Sequence, residues 1–457
     1  MGELLILNGR VVTMDGKRRI LNEGGIAIKE DKIIEVDQSD RIKRKYSTET
    51  IIDARNKLVL PGLVNCHTHV GLTLCRGTCE DHRSSLWDIM MPIMELATEE
   101  DLYKTGMLGC LELIRFGSTT IAENSASASK IAHAIQEVGL RGIVSELIND
   151  VDIDTLKESK KYKYMPERGE RCLKSNMELI EEWEGKADGR IQCIFGPQAA
   201  DWCSEGILRK VRDCANRYNK RITIHLGQDL NEIKQIRDQY NKTPFQYLQD
   251  IGLLGPDVLA AHCYHITDED IEILKDSDTK VSHNPGINTK RGVAAPLMKF
   301  LKNGIIVGLG TDNFYGDMIE NMRLAIVTAR LIGFQKTEPK PMKVLEMATI
   351  GGAKALGMET QIGSLEPGKK ADIVIVNMRK PHLMPIINPV ANLIHSGNGN
   401  DVETVIINGC IVEQEGIINT VDEENVLTQA QKASEKIWER FIERYGDIPV
   451  EDSGIYP

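Results

Sequence analysis

The sequence lacks the features that mark membrane proteins and nucleic-acid-binding proteins. None of its apolar runs approaches the roughly 20 residues that a membrane helix needs. Lys and Arg form no cluster, and 56 basic against 67 acidic residues leave a net charge of −11. We therefore expect neither a nucleic-acid partner nor a membrane partner.

The sequence also shows neither a CxxC pair of cysteines nor the pattern of a signal peptide. The ten cysteines are scattered without a CxxC pair, in a chain of 457 residues that is too large to need disulfide staples. The first residues lack the basic region and the apolar core of a signal peptide. These absences predict reduced thiols and a cytoplasmic protein.

No internal repeat or low-complexity stretch interrupts the chain. Hydrophobic residues make up 41% of it and charges of both signs are mixed, which excludes disorder and a fibre. A chain of this length can bury a large core and is expected to divide into a main unit and a smaller one.

The most informative motif that is present is the histidine pair His67 and His69. It follows an apolar run, residues 57–64, which predicts a buried strand because Val and Leu dominate it. Side chains two apart in a strand point to the same side, so both imidazoles can reach one metal ion. For an isolated pair, two histidines satisfied on the surface or in the core would be the simpler interpretation.

Three later apolar runs also end in a side chain that can bind metal, namely His225, His262 and Asp312. In a (β/α)8 barrel the active site is built from the carboxyl ends of the strands. Four strands that end in this way predict a metal site at the mouth of such a barrel.

Strand and helix patterns alternate through the middle of the chain. Helical segments such as 100–116 and 267–275 separate eight predicted strands, at residues 57–64, 117–123, 140–145, 190–196, 220–225, 258–262, 279–283 and 305–312. Alternation implies a parallel sheet with right-handed crossovers, and eight repeats imply closure. The predicted fold class is therefore α/β, with a (β/α)8 TIM barrel over residues 57–361.

The two ends of the chain have a different pattern. Short strands with turn signals occur before residue 57 and again after residue 362. We expect residues 1–56 and 362–425 to pair into one small, discontinuous, β-sandwich-like domain. Residues 426–457 are predicted to form a closing amphipathic helix and a tail.

The motifs together resemble the amidohydrolase superfamily, in its branch of atrazine chlorohydrolase, melamine deaminase and adenosine-analogue deaminases. The resemblance runs essentially end to end and is carried by residues 60–62, 65–69, 261–263, 310–313, 346–350, 352–353 and 363–372. It implies that His67, His69, His225 and Asp312 bind the metal and that His262 lies beside the water that the metal holds.

The resemblance also bears on the number of metal ions. Binuclear members of the superfamily carry a lysine or glutamate near the end of the fourth strand, where residues 195–198 offer neither. We therefore expect one divalent transition metal per chain. Imidazole and carboxylate ligands suit several ions, with zinc the predicted one and iron the alternative.

These residue types predict hydrolytic chemistry. A divalent ion held by neutral imidazoles lowers the pKa of a bound water towards about 7. Asp312 can accept a proton from that water and pass it to the leaving group, while His262 can steer the water or polarise the bond under attack. The alternatives are that Asp312 caps a helix and that His262 only orients a ligand.

One position departs from the pattern of the branch. Gln228 stands where these deaminases carry a glutamate, and an amide cannot act as a general acid. Asp229 could take over, the proton transfers could rest on Asp312 and His262, or the substrate could need less help; we favour the second. Gln198 similarly replaces a histidine of many relatives.

Further polar and apolar side chains near the strand ends are predicted to contact the substrate. For Trp87 and Met91 ordinary packing is the alternative, whereas a carboxylate such as Glu123 is costly at a barrel mouth unless it is used, for example to bind an amino group. Cys66 is predicted to be a small core residue. The predicted substrate contacts are Trp87, Met91, Glu123, Gln198, His283, Asn284, Asn313 and Asp317.

The predicted function is hydrolytic deamination of a small amino-substituted nitrogen heterocycle, with release of ammonia. Triazines, pterins, purines and cyclic guanidines such as creatinine are suitable substrates. The alternatives are a dechlorinase or cyclic amide hydrolase on the same scaffold, or a non-catalytic metal- or ligand-binding relative, which Gln228 suggests. A homo-oligomer, a dimer or larger, is also expected.

Overall fold

Two nine-stranded sheets organise the chain in the computed structural model, which describes residues 3–80, 86–334 and 336–446. The strands are β1 (Glu3–Val12), β2 (Ile20–Lys29), β3 (Lys32–Gln38), β4 (Ile51–Asp53), β5 (Lys57–Pro61), β6 (Leu63–Thr68), β7 (Ser118–Ser125), β8 (Arg141–Ile148), β9 (Ile191–Cys193), β10 (Gly196–Pro197), β11 (Ile222–Leu226), β12 (Val258–His262), β13 (Lys280–His283), β14 (Val307–Leu309), β15 (Ile373–Asn377), β16 (Val402–Ile407), β17 (Cys410–Gln414) and β18 (Ile417–Ile418).

Helices connect the strands and surround the second sheet. They are α1 (Ser39–Lys45), α2 (Met91–Leu96), α3 (Glu99–Arg115), α4 (Ala128–Val138), α5 (Ile153–Ser159), α6 (Pro166–Trp183), α7 (Lys186–Gly189), α8 (Glu205–Tyr218), α9 (Leu230–Tyr240), α10 (Pro244–Asp250), α11 (Asp268–Asp276), α12 (Pro285–Lys290), α13 (Leu297–Lys302), α14 (Met318–Gly333), α15 (Pro341–Met347), α16 (Ile350–Leu356), α17 (Pro389–Ser396) and α18 (Glu423–Tyr445). Short 3-10 or π turns lie at Val70–Cys75, Leu86–Met90, Pro381–Leu383 and Gly399–Asp401.

The second sheet is a closed parallel barrel. Its strand order is β10-β8-β7-β6-β14-β13-β12-β11, with β9 also on β8. The ring closes because the backbone N–H of Thr223 donates to the carbonyl of Phe195 (2.9 Å) and that of His225 donates to the carbonyl of Gln198 (3.0 Å). The predicted (β/α)8 barrel is confirmed, and its fourth strand consists of the two short segments β9 and β10.

The first predicted strand, residues 57–64, is in fact two strands in two sheets. β5 pairs with β1 and β15 of the small sheet, whereas β6 enters the barrel beside β7 and β14. Gly62 lies between them, and a Cβ there would stand 2.0 Å from the hydroxyl of Thr119. The absence of a side chain therefore lets the chain pass from one sheet to the other at this point.

Both ends of the chain build the small sheet, as predicted. Its order is β18-β17-β16-β15-β5-β1-β2-β3, with β4 parallel to β1. The guanidinium of Arg141, at the start of β8, donates to both carboxylate oxygens of Asp372 (2.8 and 3.0 Å), next to β15. Both residues are buried, so this ion pair joins the base of the barrel to the small sheet. The domain boundaries near residues 57 and 361 stay predictions.

The two helical segments named from the sequence are present as α3 and α11. Thr98 and Thr267 begin them, and each threonine exchanges hydrogen bonds with an aspartate three residues on, which satisfies backbone N–H groups of the first turn. The predicted C-terminal helix is α18, which packs on α3. The predicted tail after residue 446 lies outside the described residues. No described helix has the length and apolarity that crossing a membrane requires.

The interior of the barrel changes character along its axis. One end is filled by small apolar side chains such as Val64, Cys66 and Ala122, which pack against α16. Cys66 is fully buried, as expected for a core residue, and burial raises the pKa of its thiol. Polar side chains gather at the opposite end, where the strands finish.

Candidate active site

Five side chains converge at the carboxyl ends of the barrel strands: His67, His69, His225, His262 and Asp312. We call them the histidine–aspartate cluster. All are buried, with at most 9% of each residue exposed. Imidazole Nε2 atoms lie 3.4 Å (His69), 3.7 Å (His67) and 3.7 Å (His262) from the carboxylate oxygens of Asp312. The structure thus brings together every residue that the sequence predicted as a metal ligand.

Hydrogen bonds to backbone carbonyls determine which imidazole nitrogens face the centre. Nδ1 of His69 donates to the carbonyl of Asn124, and Nδ1 of His225 donates to that of Gln198, both at 2.6 Å. The two Nε2 atoms consequently carry lone pairs, yet they lie 3.1 Å apart. Burial lowers the pKa of His225 to about 3, so its ring is neutral. A cation shared by the two lone pairs removes their repulsion.

The other two imidazoles of the cluster have unpartnered nitrogens. Nε2 of His67 and of His262 are buried and find no hydrogen-bond partner in the described part of the chain. Burial also lowers the pKa of both rings. An unpaired buried polar atom is unfavourable unless a ligand completes it. Because His67, His69 and Asp312 place ligand atoms within 4.8 Å of one another, the cluster fits a divalent ion.

Two residues of the cluster have an uncommon backbone conformation. His262 (φ 77°) and Asp312 (φ 67°) lie in the left-handed region, which only a few per cent of non-glycine residues adopt. Asn288 and Asn284 both approach Nδ1 of His262 at 3.3 Å. Asn284, predicted to contact substrate, is therefore placed to orient His262.

Two adjoining cavities lie at the cluster, and they share part of their lining. The inner cavity, about 50 Å³, is bordered by His69, His225 and Asp312 of the cluster and by the apolar side chains of Met90 and Met94. The outer cavity has a volume of about 850 Å³. The residues that line both cavities, which we call the neck, are Leu86, Gln228 and Arg291.

Several predicted substrate contacts do face these cavities. Met91, Gln198 and Asn313 line the inner cavity, and Trp87 lines the outer one. Oε1 of Gln198, Oδ1 of Asn313 and Nε1 of Trp87 are buried without a hydrogen-bond partner among the described residues. These atoms are consequently available to a ligand, as expected of a pocket that combines apolar walls with a few polar groups.

Glu123, by contrast, does not line either cavity. Its carboxylate accepts hydrogen bonds from the hydroxyl groups of Thr68 (2.5 Å) and Ser125 and from the backbone N–H of Val70 (3.1 Å). This buried carboxylate holds the chain on either side of His69, and its contact with an amino group of the substrate stays a prediction.

Asp317 and His283 are also placed differently from the prediction. Asp317 caps α14 by accepting the N–H groups of Ile319 (2.8 Å) and Glu320 (3.0 Å), and it also accepts that of Gly399 (2.7 Å). His283 is buried outside both cavities, and burial lowers its pKa to about 4. Neither side chain is positioned to contact a substrate in these cavities.

Sequence reasoning missed residues that shape the neck. Glu232 is buried and accepts the backbone N–H groups of Gly227 (3.2 Å) and Gln228 (3.0 Å), so it holds the segment that carries Gln228. An acidic residue in the first turn of a helix was the available signal. Arg291 follows α12, and no local pattern marked it. Asp229 caps α9 by accepting the N–H of Asn231 (2.7 Å).

Comparison with known proteins agrees with this fold and site. Residues 58–412 match the sequence model of the amidohydrolase family. The chain is 37% identical to a 5'-deoxyadenosine deaminase of Methanosarcina mazei over 96% of its own length and 99% of that protein. It is 36% identical to a 5-methylthioadenosine/S-adenosylhomocysteine deaminase of Pelotomaculum thermopropionicum, over 96% and 100% of the two chains.

A solved structure shares the fold. An adenosine deaminase from Xanthomonas campestris with bound zinc superposes with a TM-score of 0.88 at 24% identity, covering 96% of this chain and 99% of that one. The match of the family over most of the chain, and relatives above 30% identity along nearly its full length, agree with the closed barrel and the histidine–aspartate cluster. The chain belongs to the amidohydrolase family.

Proposed function

We propose that this protein is a metal-dependent hydrolytic deaminase that replaces the amino group of a purine-type heterocycle by an oxygen and releases ammonia. The observation that carries the proposal is the histidine–aspartate cluster at the end of a cavity. The named activities of the relatives, which are deaminases of adenosine derivatives, support the same class. The deaminase predicted from the sequence agrees with both.

One divalent ion per chain is part of the proposal, with zinc as the predicted ion and iron as the alternative. His67, His69, His225 and Asp312 would hold it, and His262 would border it. When bound, such an ion lowers the pKa of a water that it contacts to about 7. The unpartnered nitrogens of the cluster are the local reason to assign the ion to this place.

The reaction requires two proton movements. The oxygen of water bonds to the ring carbon that carries the amino group, and the neighbouring ring nitrogen gains a proton. The carbon–nitrogen bond to the amino group then breaks as that group receives a second proton and leaves as ammonia, which forms the carbonyl of the product. The two protons delivered in these steps come from the water.

Asp312 is the proposed carrier of these protons. Its carboxylate lies between the Nε2 atoms of His69 and His262, and both oxygens face the centre of the cluster. His262, whose Nδ1 contacts Asn284 and Asn288, would hold the water or the oxygen that forms. Gln228, in the neck, can donate a hydrogen bond to a ring nitrogen but cannot transfer a proton to it.

An ammonia assay tests the proposal directly. Zinc-loaded protein is incubated with 5'-deoxyadenosine, methylthioadenosine and adenosine, and with representative triazines, pterins and creatinine. We expect ammonia and the corresponding oxo compound from at least one adenosine derivative. Chloride release from a chlorinated ring would instead indicate a dechlorinase, and ring opening would indicate an amide hydrolase. Full metal loading with no turnover of any compound would leave only a binding role.

We also propose, from the sequence alone, a homo-oligomer in the cytoplasm. Light scattering of the purified protein tests the first part, since a monomeric mass would contradict it.

A further inference from the structure

Arg291 occupies the junction of the two cavities. It directly follows α12, is half-buried, and lines both the inner and the outer cavity. Its guanidinium is permanently charged and offers five N–H donors. A charged group at this point faces any ligand that extends from the histidine–aspartate cluster into the outer cavity.

The partners of Arg291 differ from those of the other cations around the outer cavity. Lys160 pairs with Asp88 at 2.6 Å, and Lys290 lies 3.8 Å from Glu80. Lys234 points into solvent from α9. Arg291, although half-buried, makes no ion pair with any carboxylate within residues 3–80, 86–334 and 336–446. Its guanidinium interacts with the phenol of Tyr264, which carries no charge, so within the described residues the positive charge of Arg291 stays available to a ligand.

The charge balance of the inner cavity points the same way. Among the described residues that line it, Asp312 provides the only carboxylate, and that carboxylate belongs to the cluster. With a divalent ion in the cluster, the charge of Asp312 is already outweighed, and Arg291 adds a further positive charge to the cavity. A neutral heterocycle gains little from that excess, whereas an oxygen anion gains a charge-assisted, two-pronged hydrogen bond.

We propose that Arg291 binds an anionic oxygen group of the substrate, so that the protein prefers an amino-substituted purine-type heterocycle whose side arm ends in a carboxylate or phosphate. This inference rests on the proposed deaminase function. The arm would pass through the neck, and the outer cavity of about 850 Å³ is large enough to hold it. Arg291 is then a determinant of specificity, distinct from the residues that carry protons.

Four compounds that share adenine and its ribose test the proposal. S-adenosylhomocysteine carries a carboxylate beside an ammonium group, and adenosine 5'-monophosphate carries a phosphate, whereas methylthioadenosine and 5'-deoxyadenosine carry no ionised group. We call the first two the anionic compounds, after the oxygen anion that Arg291 would bind. In the zinc-loaded enzyme we expect a higher kcat/KM for one of the anionic compounds, and which one it is identifies the anion. Arg291→Gln should lower kcat/KM for that compound by about 10- to 100-fold, mainly through KM, the size expected for a lost hydrogen bond to a charged group.

Two control measurements show whether the effect of Arg291→Gln is specific to the anionic group. Arg291→Gln should leave the neutral compounds within about 3-fold of the wild type, and the matched control Lys234→Gln, an exposed cation at the same cavity, should leave all four unchanged. Equal losses on anionic and neutral compounds would overturn the proposal, because Arg291 would then act on the shared ring. No preference for either anion in the wild type would also overturn it.

Calorimetric titration of the same four compounds separates this proposal from the deaminase function. If the protein releases no ammonia but binds an anionic compound more tightly than its neutral counterpart, and loses that difference in Arg291→Gln, the anion site stands while the deaminase function fails. If it deaminates the neutral compounds and binds all four equally, the deaminase function stands and the anion site fails. If it binds none of them, the anion site fails as well.

Discussion

The histidine–aspartate cluster and the neck lie side by side in one active site, yet they are built in different ways. The cluster stands at or just after strand ends, is at most 9% exposed, and has imidazoles aligned by backbone carbonyls. Gln228 and Arg291 of the neck are half-buried and belong to a loop and to a helix end. Strand ends therefore carry the residues to which we assign the reaction, whereas connecting segments carry those to which we assign the choice of substrate.

Removal of a cluster imidazole should have the largest effect. In His225→Ala we expect the metal content to fall from about one ion per chain to near zero, because a site of three imidazoles and one carboxylate loses a ligand, and activity to fall to background. Elemental analysis and ammonia release measure both. His133→Ala, a change of an exposed histidine on α4, is the control and should retain metal and activity. Two tightly bound ions per wild-type chain would contradict the mononuclear site.

Asp312→Asn should separate metal binding from proton transfer within the cluster. The amide still offers an oxygen to the ion but cannot accept a proton, so kcat should fall by about 10²- to 10⁴-fold while much of the metal is retained. Metal content and single-turnover rates of the same preparation provide the test. Near-native rates in this variant would mean that another group moves the protons.

His262→Ala should cost about 10²- to 10⁴-fold in kcat, since it removes a group that borders the reacting atoms. Asn288→Ala is the matched variant, because Asn288 contacts His262 Nδ1 (3.3 Å) and is expected to act only by orienting the ring. Steady-state kinetics should show a smaller loss there. Equal losses in the two variants would make the orientation of His262, rather than its presence, the decisive factor.

The smallest effects are expected outside the cluster, at Gln228 and Asp229. Gln228→Ala should lower kcat/KM by about 10- to 100-fold, as for a lost substrate hydrogen bond. Asp229→Asn should stay within about 3-fold, because asparagine also caps a helix. Kinetics that show the reverse, with a collapse in Asp229→Asn and little change in Gln228→Ala, would mean that Asp229 performs the proton transfer of the glutamate found in related deaminases.

Much of the fold was predictable because its signals are local. Most apolar runs that end in a polar residue are barrel strands, and the threonine–aspartate pairs that begin α3 and α11 are readable from spacing alone. Residues 57–64 were predicted as one strand but form two, because hydrophobicity alone does not show that a buried run passes from one sheet into another. Only the close approach of Thr119 to Gly62 shows where one strand ends and the next begins.

The predicted substrate contacts do not all line the cavities, whereas the residues of the cluster do meet. A carboxylate at a strand end looks the same in sequence whether it faces a cavity or its own backbone. The carboxylates of Glu123 and Asp317 both accept hydrogen bonds from backbone N–H groups. Glu123 accepts the N–H of Val70, and Asp317 accepts N–H groups of the first turn of α14. Gln198 and Asn313 do reach the inner cavity. The position of a residue at a strand end therefore predicted that it lies near the cluster, but not whether its side chain faces a cavity.

The sequence by itself determined the barrel, the family and the five residues that meet at its mouth, because parallel strands of a closed sheet must bring their carboxyl ends together. Only the tertiary structure decided which polar groups remain available there, since hydrogen bonds between distant segments occupy Glu123 and Asp317, whereas Oε1 of Gln198 has no partner among the described residues. The position of Arg291 in the neck is likewise decided only by the tertiary structure. It depends on how the end of α12 meets the loops after β11 and before α2, and no single stretch of sequence carries that information.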